Sequence, residues 1–237
     1  MTILLDRLPS VPASALARQL ARWLPAPVDG PRQDVAERLG QWLNVKEAIA
    51  LHAATGAVDA AGAAASRRQR STTVPTQALR ANLQAELQRV QAVLTQSIRR
   101  RDPTHRPDAS DPDTEFAFYH QRLHEQQRRM ELSVDALRDH VRQALAQSSP
   151  DHARLATLDA HMQTLFGGRE QRLLSQLPAL LKARFAALRQ AVATSDTPHD
   201  PRWLQAFADE FEQILLAELD LRLQPVMGLI ESLEHDD

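Results

Sequence analysis

From Asp113 to Ser149 the chain runs without a glycine or a proline, and one set of positions recurs in steps of four and three. That set is Phe116, His120, Leu123, Gln127, Met130, Val134, Leu137, Val141 and Ala144. A repeat near 3.5 residues keeps such positions on one side only in an α-helix, here roughly 55 Å long at about 1.5 Å per residue. A rod of that length must bury its seam against other helices. The two polar seam residues, His120 and Gln127, suit a role in fixing register against a neighbouring helix, at some cost in stability.

The rest of the sequence has the same helical period. Ser14 to Leu24 places Leu16, Leu20, Trp23 and Leu24 on one face before Pro25 and Pro27. A second helix is expected from Pro31, with the stripe Val35, Leu39, Trp42, Leu43 and Ile49. Between Ala53 and Val74 the only large apolar residues are Val58 and Val74, so this stretch reads as a linker that alanine could make helical in part. Pro75 opens a third helix, with Leu79, Leu83, Leu87, Val90, Leu94 and Ile98 in register, and Arg99, Arg100 and Arg101 at its negative end.

After the long helix, Ser149-Pro150-Asp151 reads as a cap, a first-turn proline and a first-turn acid. Leu155, Leu158, Met162, Leu165 and Phe166 then mark an inward stripe. Gly167-Gly168 and Pro178 are expected to kink its continuation through Leu173, Leu181 and Phe185. A last helix from Pro201 faces inward through Trp203, Phe207, Phe211, Ile214, Leu215, Leu219 and Leu223, with a kink at Pro225. The expected fold is therefore all-α. It comprises an N-terminal helix pair (1–57), a flexible Ala/Gly linker (58–74), a basic amphipathic helix (75–101), a Pro/Asp loop (102–112) and an antiparallel bundle of three long, partly kinked helices (113–237). With only seven glycines and 4% aromatic residues, barrels and sandwiches are disfavoured.

The net charge of −2 hides a cancellation. Residues 60–101 hold eight Lys/Arg against one Glu, whereas residues 151–237 hold eight against fourteen acids. Arg67, Arg68, Arg70 and the Arg99–Arg101 run are thus candidate contacts for an anion or a partner. The bland account is that they solubilise, cap and attract the acidic C-terminal half. Nucleic acid is disfavoured as a ligand, since the basic segment has no aromatic residue to stack on bases and no reading motif.

No catalytic constellation emerges. The absence of cysteine excludes thiolate metal sites and a thiol nucleophile. His120 and His124 have the spacing of two ligands on one helix face, but Gln121 stands where a zinc-protease helix needs glutamate, and Glu-x-x-His is missing. Gly167-Gly168 fits neither glycine-rich phosphate motif. No metal, cofactor or catalytic residue is therefore assigned. Glu218 and Arg222, four apart in the favourable order, are expected to pair on the surface or to form a polar patch for a partner.

Asp6 and Arg7 interrupt any secretory leader, and the Ala48–Ala65 stretch is too polar to span a bilayer, so the expected location is the cytoplasm. The expected function is a non-enzymatic helical scaffold or adaptor for protein partners, self-association included. The alternative is binding of nucleic acid or an anionic surface through residues 60–101.

The stretches YHQRLHEQQRRMELSVDALRDHVRQAL, LDAHMQTLFGGREQRLLSQLPALLKARFAALR and LLAELDLRLQPVMGLIESL resemble a proteobacterial family catalogued as domain of unknown function 3348. The resemblance extends over the whole chain and is clearest after Phe116. It implies no activity and no catalytic residue. It implies an accessory role beside a cell-envelope machine, through an association of this family with envelope proton-channel and OmpA-like proteins.

Overall fold

A computed structural model describes residues 14–23, 45–68, 76–194 and 202–234, and among them there is no strand. The helices are α1 (Ala15–Ala21), α2 (Val45–Arg68), α3 (Thr76–Arg99), α4 (Pro112–Ser148), α5 (Pro150–Leu174), α6 (Leu177–Ala193) and α7 (Arg202–Glu231). A 3-10 turn, Ser232–Glu234, follows. None of them is long and apolar enough to cross a membrane.

The helix starts are encoded locally. Asp111 accepts a hydrogen bond from the Thr114 N–H at 3.2 Å and Ser149 from the His152 N–H at 3.1 Å, each followed by a proline that loses no helical bond in the first turn. α5 continues through Gly167 and Gly168 to Leu174, as the unbroken apolar period there predicts. The break comes at Pro178. Its ring would collide with the carbonyl four residues earlier, that of Leu174, where α5 ends. Pro225 is absorbed inside α7 without ending it.

α7 is the central helix. It buries residues on most of its circumference, from Trp203 and Phe207 to Leu229 and Ile230, against α1, α3, α4 and α6. The expected bundle therefore gains a member. Leu83, Leu87, Leu94 and Ile98 of α3 belong to the same core as Leu123, Met130 and Val141 of α4, so the loop at 102–112 joins neighbours in one bundle.

Residues 58–68, expected in a flexible linker, form the second half of α2, which packs along α5. On α2 the buried residues are small, Ala54 and Ala65, and Gly62 leaves room for the Arg154 side chain of α5, which lies where a Cβ would stand. Close approach of two backbones supplies the dispersion contacts that the missing leucines would otherwise provide. Residues 69–74 and the stripe from Val35 to Leu43 lie outside the described residues.

The seam of α4 holds from Leu123 to Val141 and swings by one residue at each end. Glu115 and Tyr119 are buried in place of Phe116 and His120, and Leu145 in place of Ala144. A straight helix with 3.6 residues per turn drifts about 20° per heptad against a 3.5 repeat, which carries the buried stripe outward by that step. The stripe on α5 also departs from expectation. Leu158 and Met162 are 40% and 36% exposed, and Leu165 and Phe166 are half-buried, because α5 lies between α4 and α2 and buries Ala153 and Ala156 instead.

Candidate functional site

Among the described residues, three sites that use α4 bring ordered polar groups to open space. The first is seated on an aromatic cluster. The ring centroids of Tyr119 stand 4.9 and 5.2 Å from those of Phe207 and Phe211, and Phe185 lies 4.9 Å from both Trp203 and Phe207 and 5.4 Å from Phe116. Edge-on contacts of this kind match the positive rim of one ring to the negative face of the next. Burial, and then the nearby Glu115 carboxylate, push the Tyr119 phenol up to about 12. The loop before α4 is clamped to the same cluster. His105 stacks on Phe118 with centroids 3.6 Å apart, and its Nε2 lies 3.1 Å from the buried Glu115, whose other oxygen accepts the Asp108 N–H at 3.0 Å.

Beside this cluster the first turns of α4 and the length of α6 line an open groove of about 750 Å³. Phe116 and Phe185 form its floor, Ala117 and Ala186 its small-residue walls, and His120, Lys182 and Arg189 line its edges. The exposed position of His120 is a correction, since the seam had placed it inward. Its Nε2 lies 3.3 Å from that of His124. Among the described residues, no group of three or more His, Cys, Asp or Glu is close enough to hold a metal ion.

The second surface is the polar layer of the bundle. Gln127 of α4 meets Glu218 of α7, with Nε2 3.1 Å from Oε2, and Arg222 donates to Oε1 through Nε and Nη2 at 2.9 and 2.8 Å. Glu218 is completely buried, so the surface pair expected from the sequence is in fact an interior one. Its desolvation is offset by three donor contacts that arrive from two helices. Outside this layer, His124, Arg128 and Glu131 help to line a cleft of about 530 Å³ at the α5–α6 break.

The third surface is the basic corner where α3 ends. Arg99 and Arg101 face Glu212 and Asp209 of α7 at 3.6 and 4.0 Å. Arg122 of α4 donates to the carbonyls of Ile98 and Arg100, where the negative end of the helix dipole attracts a cation. Arg100 and Arg101 border a cleft of about 540 Å³ shared with Arg129, Asp102 and Glu125. Arg67 is exposed near the end of α2, Arg68 closes that helix, and Arg70 lies outside the described residues.

The structure thus unites Gln127, Glu218 and Arg222, gathers Arg99, Arg100 and Arg101 at one corner, and sets His120 apart in the groove. Two features escaped the sequence reading. Lys182 and Arg189 line the groove, and the signal for them was the lack of any acid between Leu177 and Ala193 within an acidic segment. Asp159 of α5 is gripped by Arg138 at 2.6 and 2.8 Å and by Arg142 at 2.7 Å. Burial raises the Asp159 carboxyl, and the two guanidiniums outweigh it and hold the group below its ordinary value.

The model of a family described as protein of unknown function (DUF3348) matches residues 5–235. No curated protein and no solved structure matches the chain.

Proposed function

The chain belongs to that family, whose description assigns no activity, and we propose from its surfaces that it is a non-enzymatic helical adaptor of the bacterial cytoplasm. It works by presenting helix faces to protein partners, a second copy among them. The observation that carries this reading is the open stripe on α5. Leu158 and Met162 lie one turn apart and are 40% and 36% exposed, and Leu173 further along is 67% exposed. Large apolar side chains left open along a helix favour burial against another protein.

Binding of nucleic acid or an anionic surface has weaker support, because Arg99 and Arg101 face carboxylates of α7 and Arg122 is engaged by carbonyls. The test is co-purification of the intact protein from its native host, together with light scattering of the pure chain. Captured partners or a defined oligomer, lost in the Leu158→Glu/Met162→Glu variant while its circular dichroism is unchanged, is the expected result. A monomer that captures nothing overturns the reading. An envelope-associated partner is the first candidate, as the family resemblance implies.

A further inference from the structure

We infer that the groove between α4 and α6 receives an amphipathic helix of a protein partner, its apolar face on Phe116 and Phe185 and its acidic flank against Lys182 and Arg189. This rests on the adaptor reading and assigns it a second binding face with defined chemistry.

Shape and floor exclude most other occupants. Phe185 is 5% exposed and Phe116 is half-buried, so the floor is apolar and firmly packed on the aromatic cluster beneath it. The lining runs from Pro178 to Ala193, nearly the length of α6, which is about 25 Å for its 17 residues. An open trough of that length suits several turns of helix better than a compact small molecule. The exposed Ala117 and Ala186 at its walls leave room for a close backbone approach.

Charge selects the flank. α6 carries Lys182, Arg184 and Arg189 and no acid. Arg184 is engaged by Glu210, with two hydrogen bonds at 2.7 and 2.6 Å. Lys182 and Arg189 are exposed and form no ion pair among the described residues. Seven residues apart, they stand on the same side of α6, two turns from one another. Acids on one flank of a bound helix would meet both. Asp113, the carboxylate on the groove lining, lies in the first turn of α4, where the positive end of the helix offsets its charge. A phosphate backbone would satisfy the cations but leave the phenylalanine floor uncovered.

The experiment uses the full chain and two fluorescein-labelled synthetic helices of about 18 residues. They share one Leu/Ala stripe and carry either glutamate or lysine on its flank, and anisotropy reports binding. The glutamate helix is expected to bind saturably and the lysine helix to bind far more weakly. Lys182→Glu/Arg189→Glu should weaken the glutamate helix by about tenfold and reverse the preference, and added salt should weaken the wild-type complex. Ala186→Trp, at an exposed position, should block both helices with unchanged circular dichroism. Equal binding of the two helices, indifference to charge reversal, or equally effective displacement by duplex DNA or phosphatidylglycerol vesicles overturns the inference. Native partners fully retained by Ala186→Trp likewise sink the groove and leave the adaptor standing. A wild-type chain without any partner sinks the adaptor itself.

Discussion

Arg222 closes over Glu218 inside the bundle, its Nε and Nη2 both within 2.9 Å of Oε1, while the carboxylate itself has no exposed surface. With the Gln127 amide on the other side, the pair is a polar layer in an otherwise apolar interface between α4 and α7. Its contribution to stability is asymmetric, because a partnered buried charge is tolerated and an orphaned one is not.

Arg222→Leu is therefore expected to destabilise the chain by about 3–5 kcal/mol, as removal of one member of a buried pair generally does. Glu218→Leu/Arg222→Leu should recover much of that loss, since the carboxylate that needed the guanidinium is gone. Urea unfolding of the two variants measures both. Additive losses in the double variant would mean that the two side chains act independently.

Tyr119 makes a spectroscopic prediction, because it is the only tyrosine of the chain. Burial and then Glu115 raise its phenol to about 12, above the ordinary value of 10.0. A group whose folded value is raised contributes stability that is complete below the unfolded value and is lost as pH climbs through the folded one. The window is thus pH 10 to 12. Near-ultraviolet absorbance should show phenolate forming near pH 12 in the native chain and near pH 10 in urea. Tyr119→Phe should gain on the wild type in relative stability across that window. A native phenol that titrates at its ordinary value would mean that the aromatic cluster is open to water.

Much of this architecture was legible in the sequence, and what was missed has a common cause. The leucine and valine stripes on α3, α4 and α7 identified their buried faces, because large apolar residues at helical spacing have one favourable environment. The reading failed where alanine does the packing. Residues 58–68 looked like a linker because they hold few large side chains, yet Ala65 is buried on a helix that packs along α5. On α5 itself, Leu158 and Met162 looked inward although Ala153 and Ala156 occupy that face. Charges were legible as types and not as places. Glu218 and Arg222 were recognisable as an i,i+4 pair, but their burial depends on how α4 crosses α7, which no local pattern records. Lys182 and Arg189 passed unnoticed because two cations seven residues apart are ordinary, and only the placing of α4 beside α6 gives them a groove to face.

Gly167 and Gly168 lie in the interior of α5. α5 continues through both, neither has positive φ, and a Cβ added at either position meets nothing within 4 Å. Glycine inside a helix costs about 0.5–1 kcal/mol relative to alanine, through the backbone freedom it surrenders on folding. Gly167→Ala and Gly168→Ala should therefore each stabilise the chain by about that amount, and the double variant by roughly their sum in the absence of shared contacts. Thermal unfolding reads the gain. A loss on either substitution would show that the glycines serve as a hinge after all, with α5 bending there when a partner covers its open stripe. A gain together with undiminished partner capture would leave α5 as a rigid strut whose exposed leucines are held in place for binding.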